Sequence, residues 1–61
     1  PGSHRNLLHG ISELKIDFGP GYRVYYTRRG EHLLLLLIGG DKSSQSKDIA
    51  RAARLARQFS E

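Results

Sequence analysis

The 61-residue sequence contains no cysteine, no methionine and no tryptophan. Without cysteine the chain can form neither a disulfide nor a thiolate metal site. Its three histidines, His4, His9 and His32, are scattered and not spaced as ligand pairs, so we expect no metal and no other cofactor. A domain this small buries only roughly 60% of the surface of its unfolded chain. It usually needs further stabilisation by a disulfide, a metal or a partner subunit. A partner chain is then the expected source of additional stability.

Long hydrophobic runs are also absent, since the longest, Leu33 to Ile38, has six residues. A membrane-spanning helix needs about 20 apolar residues, so no span is predicted. No segment has the residue order of a signal peptide, and together with the lack of cysteine this favours the cytoplasm. Ten Lys and Arg oppose six Asp and Glu, a formal net charge of +4. This balance favours a nucleic acid or an acidic protein as partner, although an ordinary charged surface has it too.

Three segments predict the strands of a small antiparallel sheet. Residues 11–18 alternate between apolar and charged side chains, as in a half-buried strand, and end at the turn Gly19-Pro20-Gly21. Residues 22–28 are rich in aromatic and β-branched side chains, and Gly30 suits a tight turn after them. The apolar run 33–38 has no alternation, which is typical of a strand that is buried on both faces.

One helix is predicted at the C-terminal end. From about Lys47 to Phe59 the apolar residues recur on one side of a helix, after a polar loop at 39–46. The sequence therefore predicts an α+β fold, with a three-stranded antiparallel sheet followed by one C-terminal helix. A single helix covers one sheet face, so the other face is left for a second molecule or for a missing segment. We expect a homo-oligomer that forms through this uncovered face.

The candidate catalytic residues lie on the first two predicted strands. Arg23 and Tyr25 should point to the same face of their strand, and antiparallel pairing across the turn brings Lys15 to that face. A guanidinium binds phosphate oxygens through two parallel hydrogen bonds, and a tyrosine stacks on bases or transfers protons. In the structural alternative, the tyrosines are ordinary strand residues and Arg23 pairs with Glu13 or Asp17.

Further cations lie in the loop and on the helix, and we predict that they bind RNA. Lys42 belongs to a loop whose glycines and hydroxyls suit an anion at a helix N-terminus, or merely connect two elements. Lys47, Arg51 and Arg54 follow at spacings of four and three residues, which makes a basic stripe on the helix. Such a stripe is often only a solvated face; otherwise it follows phosphates or docks to an acidic protein.

Two segments resemble the RelE/ParE superfamily of bacterial type II toxins, most closely its phage-related addiction module killer protein branch, near HigB. Residues 11–26 include Gly-Pro-Gly-Tyr-Arg-Val-Tyr-Tyr, and residues 39–52 read Gly-Gly-Asp-Lys-Ser-Ser-Gln-Ser-Lys-Asp-Ile-Ala-Arg-Ala. The resemblance implies a metal-independent, ribosome-dependent mRNA endonuclease. It implies phosphate stabilisation by Arg23, proton transfer or phosphate contact by Lys15, and a basic loop residue in Lys42. Tyr25 is a further catalytic candidate, which matches no family motif and is chosen only because it shares a strand face with Arg23.

The resemblance also implies the partners, which are mRNA on the ribosome and a cognate antitoxin, often a small helix-turn-helix DNA-binding protein. Family members usually begin with a strand and a helical hairpin, whereas about ten residues precede Ile11 here. We therefore interpret residues 5–61 as one toxin domain that lacks the N-terminal hairpin, and residues 1–4 as a cloning scar. The alternatives are a DNA gyrase inhibitor like the ParE relatives, or an inactive truncated scaffold that binds antitoxin or itself.

Overall fold

Residues 2–59 are described by the computed structural model, and they form a sheet with one α-helix against it. The elements are β1 Gly2–Asn6, β2 Ser12–Ile16, β3 Tyr22–Arg29, β4 His32–Gly39 and α1 Gln45–Gln58, with short 3-10 helices at Leu8–Gly10 and Lys42–Ser44. The strands lie in the order β1-β2-β3-β4 and are antiparallel throughout. No helix within residues 2–59 is both long and apolar enough to cross a membrane.

The predicted α+β class, with an antiparallel sheet and a C-terminal helix, is confirmed, but the sheet has four strands and not three. The additional strand is β1, which pairs with β2 from Gly2 opposite Ile16 to Asn6 opposite Ser12. Leaving residues 2–4 out of the fold was therefore wrong, while Pro1 lies outside the described residues. All five residues of β1 are exposed. Backbone pairing holds this strand in place, and such pairing leaves no apolar pattern in a sequence.

A bulge in β4 explains why its leucine run does not alternate. Tyr25 lies opposite Leu37 and Tyr26 opposite Leu35, so Leu36 is an extra residue on β4. Leu36 and Leu37 both pack against the core as a result. Leu33, Leu35 and Ile38 lie on the other face, where 58–60% of each residue is exposed. The chain itself covers one face of this strand, and the expected cover of its second face by another molecule stays a prediction.

The small core lies between α1 and the sheet face that carries the charged residues of β2. It consists of Ile11 and Tyr25 against the alanines of the helix, Ala52, Ala53 and Ala56. Alanine side chains let the helix approach the sheet closely, and the ring of Tyr25 fills the space between them. Glu13 is only 3% exposed on this face, whereas Phe18 is 77% exposed. The apolar side of β2, which includes Leu14, is thus the side that α1 leaves uncovered.

The two ends of the α1 region are fixed by side chains from elsewhere in the chain. At its C-terminal end, Arg29 of β3 donates hydrogen bonds of 2.8 Å to the carbonyl oxygens of Ala56 and Phe59. The last carbonyls of a helix lack their full set of partners within the helix, and within residues 2–59 that of Ala56 otherwise accepts only the N–H of Phe59 at 3.3 Å. The guanidinium therefore acts as a C-cap and complements the helix dipole. At the N-terminal end, Gln45 donates from its amide nitrogen to Glu13 of β2 at 2.7 Å.

Candidate phosphate-binding site

Lys15 and Arg23 are direct cross-strand partners in the β2–β3 pair, so their side chains leave the same sheet face. The turn between the strands sets this register. Gly19 and Gly21 adopt φ values of 60° and 85° there, which other residues rarely tolerate. Both cations line a cleft of about 330 Å³, together with Arg5 and Lys42. The shared face predicted for Lys15 and Arg23 is confirmed, and we call these four residues the cationic cleft.

The guanidinium of Arg23 is the most enclosed charge of the cationic cleft, with only 9% of the residue exposed. Its Nε atom is buried and has no hydrogen-bond partner within residues 2–59. The neighbouring carboxylate oxygen, Oε1 of Glu13, lies 3.9 Å away, which is too far for a hydrogen bond. Buried donors are almost always satisfied, so the Nε atom calls for a further acceptor, either a water or an anion, beside its ion pair with Glu13. A phosphate oxygen is the acceptor that suits a guanidinium.

Glu13 forms the floor of the cationic cleft and holds its elements together. Its carboxylate accepts from Arg5 Nε of β1 at 3.0 Å and from Gln45 Nε2 of α1 at 2.7 Å. Burial alone raises the pKa of Glu13, but these hydrogen bonds and the charges of Arg5 and Arg23 outweigh it. The pKa of Glu13 therefore lies below its ordinary value, and the carboxylate is ionised at neutral pH. It fixes Arg5 and attracts Arg23 without neutralising the four cations around it.

Acid will destabilise the fold through Glu13. Its folded-state pKa is below the unfolded value of 4.5, so its contribution is complete above that pH and is lost as the pH falls through the folded-state pKa. Glu13→Gln will lose about 1–3 kcal/mol at pH 7 and will show a flatter decline below pH 5. Urea unfolding followed by circular dichroism between pH 7 and 3 measures both. Glu31→Gln, a change at an exposed turn residue, is the matched control, and equal acid slopes for all three chains would contradict the assignment.

Lys42 reaches the cationic cleft from the loop before α1. The carboxylate of Asp41 accepts hydrogen bonds from the backbone N–H groups of Ser43 and Ser44 at 3.0 and 3.3 Å. Hydrogen bonds from Ser43 and Ser44 hold the pKa of Asp41 below its ordinary value. The amides that would have bound an anion are therefore occupied by this capping carboxylate. The loop contributes the side chain of Lys42 to the cleft instead of a backbone anion site.

Tyr25 does not have the surface position that the sequence analysis assumed. It shares the face of Arg23, as predicted, but its ring is completely buried beneath α1. Burial, and then the charges of Glu13 and Asp48, raise its pKa, so the phenol stays neutral and is a poor base. This burial leaves no ring face for stacking on a base and favours the structural alternative for Tyr25.

The helix cations lie apart from the cationic cleft. Lys47, Arg51 and Arg54 are all exposed on α1, on its solvent side, and none of them lines the cleft of Lys15, Arg23 and Lys42. Arg54 instead borders a second cleft of about 550 Å³, which has an apolar lining that includes Leu7 and Ile49. The predicted group of RNA-binding residues is therefore divided, with Lys42 at the cleft and the other three on the outer surface of the helix.

Two residues of the site, Arg5 and Gln45, were not predicted from the sequence, and the structural importance of a third, Glu13, was not recognised. Arg5 lies on β1, a strand that has no sequence signature, and Gln45 lies in what the sequence presents as a polar loop. Glu13 was considered only as an alternative partner of Arg23, and the structure does contain this ion pair, with a separation of 3.9 Å. The residue directly opposite Arg23 is Lys15, however, and not Glu13. The burial of Glu13 was not predictable, because alternation along β2 does not reveal which face the helix covers.

Comparisons with known proteins give one relative. A protein of Haemophilus influenzae (strain Rd), described only as uncharacterized, is 49% identical over 58 residues. The match covers 95% of this chain and 59% of that protein, so the chain spans about three fifths of the relative's length. No family model matches the chain, and no solved structure matches it.

Proposed function

We propose that the cationic cleft binds an RNA phosphodiester and that the chain carries the cleavage site of a ribosome-dependent mRNA endonuclease of the RelE/ParE toxin type. The observation that carries the proposal is the guanidinium of Arg23, which is nine-tenths buried, lines the cleft and leaves Nε unpaired within residues 2–59. Lys15 and Lys42 add positive charge at the same point. The resemblance of residues 11–26 and 39–52 to toxins of this class supplies the ribosome as target, an antitoxin as partner and the cytoplasm as location.

The proposed reaction breaks one phosphorus–oxygen bond and forms another. The ribose 2′-oxygen attacks the adjacent phosphorus as water accepts its proton, and the 5′-oxygen of the next nucleotide leaves with a proton from Lys15 or water. The products are a 2′,3′-cyclic phosphate and a 5′-hydroxyl. Negative charge grows on the two non-bridging oxygens, where the two parallel N–H groups of Arg23 stabilise it. Lys15, directly across the strand pair, contacts the phosphate or transfers a proton. Lys42 attracts the RNA backbone to the cleft, and Tyr25 supports the strand from inside.

Addition of the protein to a translating bacterial lysate will stop protein synthesis and cut mRNA between codons. The same mRNA without ribosomes will stay intact, because the proposal assigns substrate positioning to the ribosome. Primer extension on the recovered mRNA locates the cuts. Intact mRNA and undisturbed synthesis, with the protein in molar excess over ribosomes, would refute the nuclease proposal. A loss of DNA supercoiling activity with intact mRNA would instead support the gyrase alternative.

A further inference from the structure

The sheet face opposite α1 is broad, apolar and nearly free of charge. We call it the open face; Leu14, Val24, Tyr26, Leu33 and Leu35 line one shallow groove on it together with His4 and Arg28. Ile38, directly opposite Val24, and Tyr22, opposite Ile16, extend it. Six of the seven positions of β2 and β3 on this side bring no formal charge, and the seventh is Arg28 near the end of β3.

The open face is large for the surface of so small a domain. Strands of five, five, eight and eight residues, at about 3.3 Å per residue and about 4.8 Å between strands, give a face of about 400 Å². Contiguous apolar patches of more than a few hundred Å² usually mark an interaction site. Leu33, Leu35 and Ile38 are 58–60% exposed on β4, the edge strand of this face. The helix cannot cover these side chains, because it lies on the opposite face.

We propose that the open face binds the open face of a second copy of this chain, sheet against sheet. The choice of partner rests on charge and shape. A partner has to present an apolar surface with almost no charge, and the chain carries such a surface itself, while most of its positive charge lies on α1 and in the cationic cleft. Two twisted sheets pack about 10 Å apart with their side chains interdigitated, so a two-fold pair of flat faces is a regular arrangement.

The size of the face sets the strength of the dimer. Two faces of about 400 Å² bury about 800 Å² in total, which is less than the about 1,000 Å² of a stable interface and fits a weak, transient one. The dimer will therefore be weak and will form only as the concentration rises through the micromolar range. Association leaves the cationic cleft open, because the cleft lies at the α1 side of the sheet. The inference is thus independent of the proposed RNA chemistry.

Light scattering coupled to size-exclusion chromatography will show a mass that rises from 6.9 kDa towards twice that value as the concentration increases through the micromolar range. Leu35→Lys places an ammonium group from each copy at the paired faces and will weaken association at least about tenfold. Leu8→Lys is the matched control, because Leu8 is 77% exposed but lies in the cleft on the α1 side. This variant will associate like the original chain.

Circular dichroism of each variant establishes that the fold is retained, and Ile38→Lys provides a second test at another exposed position on the open face. A chain that stays monomeric throughout the micromolar range would overturn the proposal. So would a dimer that Leu35→Lys and Ile38→Lys leave unchanged, or one that Leu8→Lys disrupts. Open-ended aggregation without a dimer would also contradict it, because face-to-face pairing is closed.

Discussion

Under the proposed nuclease function, replacing Arg23 by alanine will lower mRNA cleavage about 100- to 1,000-fold, the usual effect of removing one donor from a site of developing negative charge. Arg23 holds the central position in the cationic cleft, with Lys15 across the strand pair and Lys42 on the loop. Its planar group delivers two parallel N–H bonds to one phosphate, which neither lysine can do. The rate of cleavage in a translating lysate measures the effect directly.

Two further variants separate the function of Arg23 from its charge and from the fold. Arg23→Lys keeps the charge but loses the paired donors, so we expect a loss of about tenfold or more. Arg28→Ala removes the same charge from an exposed position of the same strand and will leave cleavage unchanged. Circular dichroism checks that each variant is folded. Full activity in a folded Arg23→Ala chain would eliminate the proposed phosphate contact.

Replacing Tyr25 by alanine will unfold much of the chain. Tyr25 is the largest completely buried side chain, and truncation of such an aromatic residue costs about 3–5 kcal/mol. A domain of this size has a total stability of about the same magnitude. Urea unfolding followed by circular dichroism will show a transition that is lost or moved to very low urea. A Tyr25→Ala chain as stable as the original would mean that α1 does not pack on β3.

Tyr25→Phe distinguishes the structural role from the catalytic one. The buried hydroxyl of Tyr25 has no hydrogen-bond partner within residues 2–59, so its removal will change stability by no more than about 1 kcal/mol. We expect mRNA cleavage to be retained as well, because the ring does not reach the cleft surface. A Tyr25→Phe chain that is folded but inactive would restore the catalytic role predicted from the sequence.

The sequence was sufficient to predict the class of fold and the position of Lys15 and Arg23 on one face of the sheet. Alternation along β2, the glycine turn and the periodicity of α1 are local signals, and together they determine which residues share a face. The residues of β1 carry no such signal, because this strand is exposed and is held by backbone pairing. The leucine run was ambiguous, because the bulge at Leu36 changes the alternation within β4.

Which sheet face α1 covers depends on tertiary packing. Most of the wrong sequence predictions come from this, because they place residues of the covered face at the surface. Glu13 and Tyr25 look like surface residues on the polar side of two strands, yet α1 packs over both. The cost of burying Glu13 is offset by Arg5 and Gln45, which come from elements distant in sequence. No local pattern in the sequence predicts these contacts of Glu13. The arginine of the cleft was therefore predictable, and its supporting carboxylate was not.

Because Glu13 is bound by Arg5, the arrangement of the cationic cleft depends on the pairing of β1 with the sheet. Arg5 holds one oxygen of that carboxylate, while the other oxygen accepts from Gln45 and faces Arg23. Peeling β1 off the sheet removes the competing cation and frees an anion to draw the guanidinium of Arg23 inward, away from any substrate. A protease or a binding protein that detaches β1 from the sheet would thereby weaken the proposed phosphate site without contacting Arg23.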